Sequence, residues 1–169
     1  MKRFLFVPIL LLSFQLFSQD DIIRVGQSFP DFTITTKDGK KVDASSLKNK
    51  VALINFFATW CGPCLTELPL LQSKIWEKYK DNPDFILLVI GRDHSEDELN
   101  AFEEKYKFTL PMYPDKGKTV YSLFAKQYIP RNYLIDKDGK VVFNSVGFTP
   151  EDFDNLVKKV KILLDKKEN

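Results

Sequence analysis

The stretch Val51 to Cys64, VALINFFATWCGPC, limits what this chain can fold into more than any other. Its first half, Val51 to Phe57, contains one polar residue, Asn55. A short apolar run with so little alternation suits a strand buried on both faces of a sheet. Its second half ends in Trp60-Cys61-Gly62-Pro63-Cys64, which holds both cysteines of the chain. A helical pattern begins where the strand stops. A C-x-x-C pair at a strand-to-helix junction has the spacing and setting of a redox dithiol.

The amino terminus has a different character. Lys2 and Arg3 precede Phe4 to Phe17, an uncharged apolar stretch of 14 residues, and Ser18 leads into a polar segment. This is the pattern of a secretory signal peptide over 1–18, with cleavage near Ser18. At about 1.5 Å per residue the stretch falls short of the ~30 Å needed to span a bilayer. If it stays uncleaved it becomes a membrane tether. Setting aside Lys2 and Arg3 takes the 25 basic residues to 23, equal to the 23 acidic ones. A neutral domain gives no support to a nucleic-acid partner or an anionic membrane surface.

Export changes what the cysteines mean, because structural disulfides persist outside the cytoplasm. A bridge across so small a loop constrains the unfolded chain little, so a reversible dithiol is the better reading. Half a zinc site is the other structural alternative. It needs two further ligands, and the chain has one histidine, His94. That residue follows Gly91-Arg92-Asp93 in a predicted loop and reads as a surface or capping residue.

The rest of the chain supplies a scaffold. Residues 19–28 read as a flexible leader, and 29–169 as one domain. Phe32 to Thr35 alternates at strand period, and Asp38-Gly39 turns the chain back through Val42 as a hairpin. After Cys64, Leu65, Leu68, Ile75 and Tyr79 recur at helical spacing, with Pro69 predicting a kink. Phe85 to Ile90 is a second fully apolar strand. Ser95 with Glu98 forms a capping box that opens a helix to about Tyr106. Leu110 to Asp115 reads as irregular because of Pro111 and Pro114, and 118–126 as a helix. Asn132 to Ile135 and Val141 to Phe143 flank a second Asp-Gly turn, and Thr149-Pro150 caps a last helix. Two apolar strands joined by a helix imply a parallel, right-handed crossover. The fold class is therefore α/β, a mixed central sheet with helices on both faces and an added N-terminal β-hairpin.

At this point the chain resembles the exported thioredoxin-fold thiol–disulfide oxidoreductases of the TlpA/ResA type. The likeness rests on Gly26, Pro30 and Phe32, on Asp38-Gly39, on the run from Asn55 to Cys64, on Glu67 and Pro69, and on Pro130, Ile135-Asp136 and Gly139. It extends over roughly Gly26 to Leu164. It implies that Cys61 attacks a protein disulfide and Cys64 resolves the mixed disulfide, with no cofactor beyond the redox-active Cys61–Cys64 disulfide. Cys61 at a helix amino terminus meets free amides and the positive end of the helix dipole. Trp60, Gly62 and Pro63 support the pair: Gly62 admits close backbone approach and Pro63 suits a first helical turn. Pro130 matches the family's cis-proline facing the dithiol, with Ile129 over the cysteines.

The chain differs from cytosolic thioredoxins at Asn55 and from the branch it resembles at Arg131. Asn55 stands where cytosolic thioredoxins carry a buried, proton-handling Asp, and an amide cannot titrate. Glu67, three residues past Cys64, is the replacement expected to take the Cys64 proton. Otherwise it is an exposed residue helping the helix dipole. Arg131 replaces a small hydroxyl residue frequent in the branch; it either favours the Cys61 thiolate or faces solvent.

The resemblance implies a reductase of protein disulfides in the periplasm or cell envelope. An upstream membrane thiol donor would recharge it, and cytochrome c maturation would be a destination. The alternatives are a disulfide oxidase or isomerase, a peroxiredoxin-like peroxidase, and a non-catalytic thioredoxin-fold binding module. The peroxidase signature requires proline at position 54 and threonine at position 58, where the chain has Ile54 and Ala58.

Overall fold

The computed structural model describes residues 21–36 and 39–166. The signal segment and Asp38 lie outside the described residues. Among the described residues, no helix is long and apolar enough to cross a membrane.

The apolar run becomes β3 (Val51–Phe57), every residue of which is buried. It is the middle of a five-stranded sheet, flanked on one side by β4 (Phe85–Arg92) and the edge strand β5 (Met112–Asp115). On the other side lie β6 (Arg131–Ile135) and β7 (Val141–Val146). β3, β4 and β5 run parallel, whereas β6 and β7 are antiparallel to their neighbours. The Asp-Gly hairpin, β1 (Thr33–Thr35) and β2 (Lys41–Asp43), forms a separate two-stranded sheet.

The helix after the dithiol, α1 (Gly62–Leu71), passes through a π-helical turn, Gln72–Trp76, into α2 (Glu77–Tyr79). Pro69 has no amide to donate, and the π turn follows directly, so the interruption expected there is a change of helical winding. α3 (Glu96–Tyr106) begins at the Ser95–Glu98 capping box, and α5 (Pro150–Asp165) begins at Thr149, whose side chain accepts the Asp152 amide.

Side-chain alternation along β3 separates two cores. Val51, Leu53 and Phe57 face Cys64, Leu68 and Leu71 of α1, Leu99 and Phe102 of α3, and Phe153, Leu156 and Val160 of α5. Ala52, Ile54 and Phe56 face the hairpin, Leu47 and α4 (Tyr121–Phe124). The expected mixed sheet covered on both faces is present, and the fold is thioredoxin-like.

Three expectations need correction. Leu110 to Asp115 is not irregular throughout, because Met112–Asp115 pairs with β4. Pro114 is compatible with this because β5 is an edge strand with one neighbour. The helix expected over 118–126 shrinks to Tyr121–Phe124. Lys118 is left-handed (φ 60°), which blocks an earlier start, and the Asp115 carboxylate accepts the Val120 and Tyr121 amides. Residues 21–28 are not a free leader. Asp21 bridges Ala125, Ile22 donates to the Phe124 carbonyl, and Gln27 accepts the Val141 amide.

Candidate functional site

The chain leaves β3 at Phe57, makes a tight turn in which the Cys61 amide donates to the Ala58 carbonyl (3.1 Å), and enters α1. Cys61 is the N-cap of that helix, and its sulfur accepts the Cys64 amide at 3.3 Å. Sulfur here fills the place usually taken by a capping oxygen, so the Cys64 amide at the helix start points at the reactive atom. Cys61 and Cys64 are joined as a disulfide. Cys61 keeps 5% exposure, whereas Cys64 has none, so only the first sulfur is open to a partner. Trp60 is 69% exposed and packs on little of its own chain. A side chain at Gly62 would meet no atom within 4 Å, so nothing in the protein itself requires glycine there.

Opposite the dithiol, the Ile129–Pro130 peptide is cis. The Ile129 carbonyl oxygen lies 3.8 Å from Cys61 Sγ, and the Ile129 side chain is half-buried against the same core. The Ile129 backbone therefore faces Cys61.

Beneath Cys64, one helical turn further on, Glu67 is buried at 2% exposure. This excludes the exposed, dipole-helping alternative. Its Oε2 accepts Asn55 Nδ2 at 2.9 Å and its Oε1 accepts Asn132 Nδ2 at 2.6 Å. Asn55 also donates to Asn132 Oδ1 (2.9 Å), and Asn132 lies 3.3 Å from Ser145 Oγ on β7. The register explains the meeting, since Asn55 of β3 stands directly opposite Asn132 of β6. Burial raises the Glu67 carboxyl from its ordinary value near 4.5 to about 7, and the two amide hydrogen bonds only partly oppose this. Neither amide carries a charge, so desolvation prevails. The carboxyl is thus poised to exchange a proton near neutrality.

Arg131 takes neither of the two places expected for it. It is fully buried and stands opposite Phe56, on the sheet face turned away from α1 and the dithiol. Its guanidinium pairs with Asp21, and its Nε donates to the carbonyls of Gln127 (2.9 Å) and Tyr128 (3.3 Å). Tyr121 also donates to the Tyr128 carbonyl, at 2.9 Å. The loop entering the cis peptide is therefore held from behind.

His94 is a further correction. It is buried at the corner between β4 and α3, and its Nε2 accepts the Thr59 amide at 3.0 Å. It caps no helix; Ser95 does that.

The chain matches the Redoxin family model over residues 24–160. It belongs to the Redoxin family. It is 31% identical over 145 residues to the thiol-disulfide oxidoreductase ResA of Bacillus anthracis, covering 85% of this chain and 83% of the relative. A solution structure of a candidate protein disulfide isomerase from Bacteroides thetaiotaomicron superposes with a TM-score of 0.83. It shares 40% identity and covers 87% of this chain and 94% of that one. A candidate thiol:disulfide interchange protein DsbE from Chlorobium tepidum superposes with a TM-score of 0.75. It shares 27% identity and covers 84% and 99% of the two chains. The protein is a thiol–disulfide oxidoreductase of the ResA and DsbE type, with Cys61 and Cys64 as its C-x-x-C pair.

Within this Redoxin domain, sequence reasoning located the cysteines, Glu67 and the proline. It missed Asn132, Ser145, Asp21 and the placement of His94. Asn132 had one available signal: like Asn55, it is a polar residue in an otherwise apolar strand.

Proposed function

We propose that this protein reduces protein disulfides outside the cytoplasm. The observation that carries this is the asymmetry of the pair, with Cys61 at the helix start beside the cis peptide and Cys64 sealed above a buried, near-neutral Glu67. In the reduced enzyme the Cys61 thiolate attacks one sulfur of a substrate disulfide. The substrate S–S bond breaks, one substrate thiol leaves, and a mixed disulfide forms. Glu67 takes the proton of Cys64, whose thiolate attacks Cys61 Sγ and releases the second substrate thiol. Two electrons have then passed to the substrate and the Cys61–Cys64 disulfide remains. The pair carries the electrons itself, so the reaction needs no bound cofactor.

An upstream membrane thiol donor would return the oxidised pair to the dithiol. The segment 1–18 supports export to the periplasm or cell envelope, whether it is cleaved near Ser18 or kept as a tether. Apocytochromes awaiting haem attachment are the substrate class implied by the TlpA/ResA resemblance. An isomerase is the second reading, favoured by the Bacteroides thetaiotaomicron relative so described.

Replacing Cys64 by Ser should leave Cys61 joined to its substrates as stable mixed disulfides in cell envelopes, with none captured by Cys61→Ser. Capture by Cys61→Ser instead would reverse the assigned roles. Apocytochromes among the trapped proteins support the maturation role; a broad set of envelope proteins supports general reduction or isomerisation. A reduction potential near the oxidising end of the family range, about −120 mV, would overturn the reductive direction.

A further inference from the structure

We propose that His94 is a positioning residue for the active-site turn: its neutral ring accepts the Thr59 amide, and a second proton on the ring releases that amide and loosens the turn that presents Cys61. This rests on the oxidoreductase reading for its consequence, though not for its geometry.

The Thr59 N–H can be met only by a ring nitrogen with a free lone pair. Nε2, at 3.0 Å, is therefore unprotonated, and the neutral ring carries its hydrogen on Nδ1. The acceptor is held independently of the turn it serves. The His94 amide donates to Gly91, and Asp93 ahead of it is left-handed (φ 67°), its amide donating to the Asp115 carbonyl. A Cβ at Gly91 would lie 3.3 Å from the His94 Cβ, so the histidine packs on bare backbone. Phe57 flanks the ring, with centroids 6.4 Å apart.

The turn itself has less to hold it. Trp60 is exposed, and ahead of the bonds that tie Cys61 into α1 the segment is closed by the Cys61 amide donating to Ala58 and the Thr59 amide donating to His94. Losing the second frees the backbone two residues before the attacking sulfur.

Protonation has opposite effects on the two sides of the ring. On the Thr59 side it sets two N–H groups against each other. On the far side, Glu98 Oε2 lies 3.6 Å from Nδ1, fixed in place by the Ser95 amide (2.8 Å) and hydroxyl (3.0 Å). The imidazolium is thus drawn toward α3 as it is repelled from the turn. The other charged groups of the neighbourhood are committed elsewhere or oppose the cation. Arg92 stacks over Tyr121 on the opposite sheet face, and Asp93 accepts the Gly117 amide and faces Lys118. Asp115 caps α4, and Lys105 and Tyr106 line the shallow depression shared by Thr59 and Glu98.

The test is an NMR titration of the oxidised protein between pH 5 and 8, following the Thr59 amide proton and the His94 ring carbons. The amide and the ring should titrate with one midpoint in wild type. In His94→Gln, whose side-chain oxygen reaches the place of Nε2 but does not titrate, the Thr59 shift should vanish. Co-titration should persist in Glu67→Gln, which separates the clamp from the near-neutral Glu67 carboxyl. In parallel, the acid-side fall in kcat/KM for insulin reduction should become shallower in His94→Gln, keeping the part that thiolate formation and Glu67 contribute, and His94→Leu should be several-fold slower across the range. A ring that stays neutral, a Thr59 amide unmoved by ring protonation, or an unaltered pH profile in His94→Gln overturns the proposal. Absence of Cys61-dependent turnover in every variant would instead remove the oxidoreductase reading, while the amide titration would still decide the clamp.

Discussion

Replacing Glu67 by Gln should change the pH dependence of stability by a calculable amount. Glu67 is buried and its carboxyl is raised from near 4.5 to about 7 by burial, despite hydrogen bonds from Asn132 and Asn55. The folded protein therefore binds this proton more tightly than the unfolded chain. Below pH 4.5 both states hold the proton and the site costs nothing. As pH rises from 4.5 to 7 the unfolded chain releases its proton and the folded one keeps it, so stability falls by about 1.4 kcal/mol per pH unit. Above pH 7 the folded carboxyl ionises too and the loss levels off at about 3 kcal/mol. Glutamine preserves the size and one acceptor of the side chain but has no proton to lose. Urea unfolding of the oxidised proteins at intervals from about pH 4 to 8 gives the difference between wild type and Glu67→Gln at each pH. That difference should shift by about 3 kcal/mol in favour of the variant across the range, whatever the fixed packing cost of glutamine. Keeping the disulfide oxidised removes the cysteines from the titration, and the remaining groups cancel between the two proteins. A difference that stays constant with pH would show that Glu67 ionises normally, and the proton-acceptor role would lose its physical basis. If the shift is found, the matching functional measurement is the Cys64 thiol in the reduced enzyme. Its titration should move in Glu67→Gln, because the ionisable neighbour one helical turn away has been removed.

Two further outcomes follow from the packing. Asp21→Ala leaves the Arg131 guanidinium buried without its carboxylate and should cost roughly 3 kcal/mol in urea unfolding, most of it recovered in the Asp21→Ala/Arg131→Met double variant; a neutral single variant would mean that residues 21–28 do not brace the cis-proline loop. Gly62→Ala should leave the unfolding midpoint within about 0.5 kcal/mol of wild type, since no atom lies within 4 Å of the added carbon, yet raise KM for a protein disulfide because the methyl stands on the open face beside Cys61; an unchanged KM would show that substrate backbone does not approach there.

The functional reading depends on features of different range along the chain. The capping sulfur of Cys61 and the winding after Pro69 are settled within a few residues, and both are readable from local chemistry. The Glu67 site is not local. It needs Asn55 from β3, Asn132 from β6 and Ser145 from β7, brought together over 77 residues in the case of the two asparagines. Its carboxyl is near-neutral because of that enclosure, and an isolated helix carrying Cys64 and Glu67 would not reproduce it.

The sequence by itself determined the central buried strand, the dithiol at the start of α1, both hairpins, and the capping of α3 and α5. Each is written in the spacing of neighbouring residues: apolar runs, Asp-Gly turns, Ser-x-x-Glu, Thr-Pro. It also singled out Glu67 and Arg131 without deciding between two environments for each. Only the tertiary structure decided those. Strand register put Asn132 opposite Asn55 and closed Glu67 off from water. The same register turned Arg131 away from the thiols and onto Asp21. It was likewise the corner between β4 and α3 that brought His94, 35 residues away in sequence, onto the amide of Thr59. Local patterning states which face of an element is apolar; which polar groups meet across those faces depends on pairings between distant segments, and those form only when the sheet closes.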